Sequence, residues 1–131
     1  MSFAGRGEMA MKSCLVVDDS SVIRKVARRI LEDLDFDVSE AEDGQQALEF
    51  CRQFMPDLIL VDWNMPVVGG VEFLASLRSQ FAGKKPKVVF CASENDVATI
   101  ARAMRAGADD YILKPFDREI VEAKLQEVGM L

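Results

Sequence analysis

The 131-residue chain has no apolar run approaching the roughly 20 residues that a helix needs to cross a bilayer. Its opening, MSFAGRGEMAMKS, lacks the uninterrupted apolar segment of a signal peptide. Neither a membrane span nor export is expected, and the expected location is the cytoplasm. Basic charge is in deficit: 16 Lys and Arg against 22 Asp and Glu leave a formal charge of −6 and a pI near 4.7. Nucleic acid and anionic membranes select basic patches, so both are excluded as partners, and a cation or a basic protein face fits better. Cysteine is scarce and never in a CxxC spacing: Cys14, Cys51 and Cys91 sit in apolar stretches, the pattern of buried free thiols in a reducing compartment. No internal repeat or low-complexity segment occurs. What is present, a chain half hydrophobic by composition, suits one domain around a single core, expected to be monomeric. Residues 1–11 read as a flexible tail and 12–131 as the domain.

Two periodicities alternate along that domain. Short apolar runs recur at CLVV (Cys14 to Val17), LILV (Leu58 to Val61), VVFC (Val88 to Cys91) and YIL (Tyr111 to Leu113), with a weaker one at DVSE (Asp37 to Glu40). Between them Ile23, Val26, Ala27, Ile30 and Leu34 share one face at helical spacing. Further helices are expected near residues 45–53, 71–80, 96–106 and 117–128, with stops at Gly44, Pro56, Pro66, Gly69, Gly70, Gly107 and Pro115. Five strands alternating with five helices imply an α/β fold, a doubly wound parallel sheet covered on both faces. In such sheets ligands gather beyond the carboxyl ends of the strands.

Asp18 and Asp19 follow the first apolar run, Asp62 the third, Ala92 and Ser93 the fourth, and Lys114 and Pro115 the fifth. Every strand end but the second carries a notable residue. If the first and third strands are neighbours, three carboxylates converge, and such a cluster either raises a pKa or recruits a cation. Oxygen-only ligands suit Mg²⁺. Lys114 would enter from the other side, to pair with an acid or to grip a phosphoryl group. Asp18 or Asp19 alone would also serve as an N-cap for a helix opening at Ser20 or Ser21, and Lys114 alone as a solvated lysine before a turn.

The combination of Asp18 and Asp19, Asp62, the run DWNMPVVGG and Lys114 with Pro115, in order and each at a strand end, resembles the receiver domain of two-component response regulators, most closely the chemotaxis type. The resemblance covers about residues 12–129. It implies a flavodoxin-like sheet with strand order 2-1-3-4-5, and phosphorylation of Asp62 by a histidine kinase or phosphotransfer protein. It further implies Mg²⁺ held by Asp19, Asp62 and the main-chain carbonyl of Asn64, with Asp18 acting through a water, and Lys114 pairing with the phosphoryl oxygens. Pro115 is expected to form a cis peptide, as in this family. Where Gly69 stands the family often has an acid, a departure expected to affect only the loop.

The family's switch uses a hydroxyl at the end of the fourth strand and an aromatic on the fifth. Tyr111 fits the aromatic. Ungapped counting from Asp62 puts Ala92 at the hydroxyl position, with Ser93 one residue later, so either the strand end shifts or the hydroxyl is absent. Asn64 and Glu94 match chemotaxis-type positions that tune dephosphorylation. The first helix carries Arg24, Lys25, Arg28 and Arg29, a basic stripe that is either a solvated face or a docking surface for the phosphodonor. Output is expected on the surface of helix four, strand five and helix five, toward a downstream target protein the sequence does not identify. No effector domain is expected to follow, which leaves a stand-alone switch or a phosphate sink; a receiver cut from a longer regulator is the alternative. A haloacid-dehalogenase type phosphatase also uses Asp and Mg²⁺, but it carries DxDxT where this chain reads DDSS.

Overall fold

The structure is a computed structural model that describes residues 11–63, 65, 68–81, 83, 86–93 and 95–131. Strands and helices alternate throughout: β1 (Ser13–Val17), α1 (Ser21–Asp33), β2 (Asp37–Ala41), α2 (Gly44–Gln53), β3 (Leu58–Asp62), α3 (Gly70–Gln80), β4 (Lys87–Ser93), α4 (Val97–Ala106), β5 (Asp110–Lys114) and α5 (Arg118–Glu127). The five strands form one parallel sheet in the order β2-β1-β3-β4-β5, the doubly wound arrangement expected from the alternation. Pro66 and residues 1–10 of the expected tail lie outside the described residues.

Local chemistry fixes where the helices begin. Ser20 caps α1 by accepting the Ile23 N–H at 3.2 Å, Asp43 caps α2 through the Gln46 N–H at 2.8 Å, and Asp117 caps α5 through the Ile120 N–H at 2.9 Å. Helix α4 ends at Gly107, whose φ of 114° is a left-handed conformation that a side chain would strain. Arg78 on α3 donates to the Gly107 carbonyl at 2.8 Å and to the Pro86 carbonyl at 3.1 Å, which ties that helix end to the start of β4.

Alternation along the strands divides the core in two. Leu15, Val17, Ile59, Val61, Val88 and Phe90 face α2, α3 and α4, against Phe73, Leu74 and Leu77. Cys14, Val16, Leu58, Leu60, Val89 and Cys91 face α1 and α5, against Ala27, Leu31 and Leu125. The three cysteines are free and buried, and burial raises each thiol pKa, that of Cys51 to about 11.

Helix α1 turns most of its expected face inward: Ile30 and Leu34 pack against the core beside Ala27, Ile23 is half-buried, and of that face only Val26 is exposed. The helix buries Ala27 and Leu31, while Val22 and Val26 are 67% and 44% exposed. The helix carries apolar side chains on two adjacent stripes, and the sheet accepts only one of them. The strands also run past their apolar cores, so that Asp62, Ala92, Ser93 and Lys114 are the last residues of paired strands rather than the first of loops.

Candidate functional site

Period-two alternation decides which strand-end side chains meet. Asp62 lies two residues past Leu60, Lys114 two past Ile112, and Asp18 two past Val16, so all three fall on the α1 and α5 side of the sheet. There the Lys114 ammonium lies 2.9 Å from Asp62 Oδ1 and 3.0 Å from Asp18 Oδ2. Asp18 and Asp62 are 3% and 6% exposed, whereas Asp19 is open to solvent. Carboxylate oxygens of Asp18, Asp19 and Asp62 come within 4.8 Å of one another. The Lys114–Pro115 peptide bond is cis, as expected.

Three acids with one ammonium leave the pocket net negative. The Asp62 pKa is raised: burial is the largest cause, Lys114 offsets part of it, and Asp18 and Asp19 add to it. Burial alone would depress Lys114, but its hydrogen bonds to Asp62 and Asp18 outweigh that and raise its pKa, so it is a fixed cation. A hard divalent cation fits this donor set, since all the ligand atoms are oxygens, one acid stays open to water, and added positive charge relieves the repulsion. The second oxygen of Asp62, Oδ2, has no hydrogen-bond partner among the described residues.

The walls of the pocket are close-fitting. Gly70 opens α3 with its N–H donating to the Trp63 carbonyl at 3.0 Å. A Cβ there would stand 2.7 Å from the Trp63 Cα and collide with the Asp62 carbonyl, so only glycine lets α3 start this near Asp62. Asp18 also assists the neighbouring helix start, because its Oδ1 accepts the Ser20 N–H at 2.9 Å while Ser20 is the cap proper. The N-cap expected of an acid thus falls to Ser20, and Asp18 braces the cap residue while belonging to the site.

One strand end was undervalued by the sequence reading. At the end of β2, Glu40 takes Arg24 Nε at 2.8 Å and Arg28 Nε at 2.6 Å, and Arg24 Nη1 donates to the Asp18 carbonyl at 2.8 Å. The signal was the spacing of Arg24 and Arg28, one turn apart and on the side of α1 toward β2. The basic stripe of α1 thus splits: Arg24 and Arg28 are committed to Glu40, and Lys25 and Arg29 remain exposed.

Ala92 is fully buried and shares its parity with Val88 and Phe90, on the face away from Asp62. Ser93 is exposed, pairs with Lys114 across the β4–β5 ladder, and has the parity of Lys114. Tyr111 is 37% exposed at the sheet edge, with the Lys124 ammonium 5.7 Å from its ring centroid. Lys124 is itself held by Asp110 at 3.1 Å and Glu127 at 3.2 Å. Val97, Met104, Leu113 and Ile120 add exposed apolar surface on α4, β5 and α5. Asn64 and Glu94 lie outside the described residues. Among the described residues no helix is long and apolar enough to cross a membrane.

The geometry has counterparts. The family model of the response regulator receiver domain matches residues 14–126. The chemotaxis protein CheY of Halobacterium salinarum is 36% identical over 118 residues, covering 89% of this chain and 96% of that protein. The chemotaxis protein CheY1 of Helicobacter pylori is 35% identical over 116 residues, covering 87% and 94%. The solved structure of the chemotaxis response regulator CheY4 of Vibrio cholerae superposes with a TM-score of 0.84 at 33% identity, over 91% of this chain and 99% of that one. An acid cluster and a single lysine at the carboxyl end of a 2-1-3-4-5 sheet, with these likenesses in sequence and structure, place the chain in the response regulator receiver domain family.

Proposed function

We propose that Asp62 is the phosphoacceptor of this receiver, taking a phosphoryl group from a histidine kinase or phosphotransfer protein. The observation that carries the reading is the Lys114 ammonium lodged between Asp62 and Asp18, with the second oxygen of Asp62 unpartnered among the described residues. These 131 residues contain no histidine, so the phosphohistidine lies outside the receiver domain. Asp62 attacks phosphorus, the P–N bond breaks as the P–O bond forms, and the electron pair leaves with the imidazole, giving an acyl phosphate. Lys114 holds positive charge against the incoming phosphoryl oxygens. Receiver domains of this family bind Mg²⁺ at an acidic pocket, and here Asp19, Asp62 and the Asn64 main-chain carbonyl would hold it, with Asp18 acting through a water. When bound, the ion neutralises charge on the transferring group and on the acids around it. The domain serves signalling rather than turnover of an external substrate, and catalyses only its own phosphorylation and dephosphorylation, the latter tuned by Asn64 and Glu94. Residues 12–131 form the functional unit, a monomer working in the cytoplasm.

The phosphodonor docks on α1 beside the pocket, against Lys25, Arg29 and the exposed Val22 and Val26. Output runs through α4, β5 and α5, which carry Tyr111 and several exposed apolar side chains. Ser93, on the Lys114 side of the ladder, supplies the hydroxyl nearest the phosphoryl group, and Ala92 leaves the Tyr111 side without one. Charge-assisted hydrogen bonds contribute roughly 1.5 to 3 kcal/mol each, so coupling to Tyr111 is weaker than with a hydroxyl at position 92. Ala92→Thr should enlarge the Tyr111 response to phosphorylation; an equal, full response in both chains would refute this. The central test is Mg²⁺-dependent labelling with acetyl phosphate: one phosphoryl group per native chain and none on Asp62→Asn are expected, and equal labelling of the two would overturn the assignment.

A further inference from the structure

The loop between β1 and α1, which carries Asp18 and Asp19, is held from outside the acid cluster. The Asp18 N–H donates to the Ala41 carbonyl at 3.1 Å, and the Asp18 carbonyl accepts Arg24 Nη1 at 2.8 Å. Arg24 is anchored in turn by Glu40 at 2.8 Å, and its side chain is only 13% exposed. Both peptide units flanking the Asp18 side chain are thereby referred to β2, one directly and one through the guanidinium. A guanidinium presents its donors in a rigid plane and serves the two acceptors together, which a lysine ammonium on a flexible stem does not reproduce.

We infer that Arg24 is a positioning residue: by bridging the Asp18 carbonyl and Glu40 it sets the placement of the acid loop, and with it the affinity of the pocket for a divalent cation, while touching neither the cation nor the phosphoryl group. The inference rests on the reading of the acid cluster as a Mg²⁺ site. The charge of Arg24 alone acts in the opposite sense, because a cation near three carboxylates opposes a second one. Electrostatics therefore predicts tighter Mg²⁺ binding when Arg24 is removed, and positioning predicts weaker binding. Arg28 supplies the control, since it shares Glu40 at 2.6 Å and, among the described residues, makes no hydrogen bond to the loop.

The experiment is a MgCl₂ titration of the full chain without phosphodonor, followed by the fluorescence of Trp63, the single tryptophan, which adjoins Asp62. Arg24→Ala and Arg24→Lys should both raise the Mg²⁺ midpoint, by about tenfold for Ala, while Arg28→Ala stays within about twofold of the native chain. Circular dichroism establishes that each variant is folded, and Arg24→Lys, which keeps the charge, carries the test if the alanine variant is not. Tighter or unchanged binding in Arg24→Ala, native binding in Arg24→Lys, or an equal loss in Arg28→Ala would overturn the inference. A native chain that does not respond to MgCl₂ would overturn the site reading and this inference with it; a native response with unmoved variants would overturn this inference alone.

Discussion

Two acids stand at the ends of strands that flank β1 on either side, and they meet opposite fates. Glu40, at the end of β2, faces two arginines, and their hydrogen bonds, Arg28 first, hold its pKa below the usual carboxylate value despite some burial. Asp62, at the end of β3, faces one lysine and two further acids in a more buried setting, and its pKa is raised. The residue types and contact distances are alike. What differs is the local charge count and the access of water, so a paired acid stabilises the fold while an acid in an unbalanced group keeps a demand for positive charge. The first acid serves architecture and the second is equipped to bind and react.

The heaviest blow to this contrast is removal of Lys114. Lys114→Met leaves Asp18 and Asp62 buried together with no ammonium between them, and should cost about 3 kcal/mol at pH 7 without divalent cations, in the range for breaking a buried pair. The deficit, read by urea denaturation, should shrink in acid as Asp62, whose pKa is raised, takes up a proton. A deficit independent of pH would mean that Lys114 acts through packing.

Next comes the pair of neutralising substitutions, which should have opposite signs. The raised pKa of Asp62 means that the folded protein holds that proton more tightly than the unfolded chain, so ionised Asp62 costs stability above the unfolded-state value. Asp62→Asn should therefore stabilise the metal-free chain at pH 7 by about 0.5–2 kcal/mol, a gain characteristic of relaxing a functional site. Glu40 has a lowered pKa, so its contribution is present above the ordinary glutamate value and is lost as pH falls through the depressed one. Glu40→Gln should destabilise by about 1 kcal/mol at pH 7, since the pair is partly exposed. Both differences should vanish in acid. Destabilisation by Asp62→Asn at pH 7 would erase the distinction between the two acids.

The contrast also shows why the sequence was only partly legible. Strand-end acids and Lys114 could be read because alternation in a buried parallel strand is rigid: once the apolar runs were placed, the residues just past them had to converge. Tyr111 and Ser93 could be placed on β5 and β4 by the same logic. Glu40 was missed because β2 is a half-exposed edge strand, where an acid is ordinary, and its importance lies in two arginines on a helix that precedes it. On α1 only the exposure of Val26 escaped the reading, for a related reason: apolar residues on two adjacent stripes do not say where the buried face ends. The roles of Ala92 and Ser93 turn on parity at the last pairs of a strand, where a shift of one residue exchanges the two faces.

The smallest effect should come from halving the cation count around Glu40. Arg28 is about one-third exposed and spreads its guanidinium between Glu40 at 2.6 Å and Glu32 at 3.0 Å, one turn away on the same helix. Solvent screens such pairs, and each contributes a few tenths of a kcal/mol, so Arg28→Ala should cost about 0.5 kcal/mol. Most of that loss should disappear at about 1 M salt, where the screening length falls to roughly 3 Å. Carboxyl titration by NMR should show Glu40 moving up toward its ordinary value yet staying below it, because the better-buried Arg24 remains at 2.8 Å. A Glu40 that rises fully to the ordinary value in Arg28→Ala would mean that Arg24 gives its charge chiefly to the Asp18 loop, and the two acids would then share a cation instead of standing as separate cases.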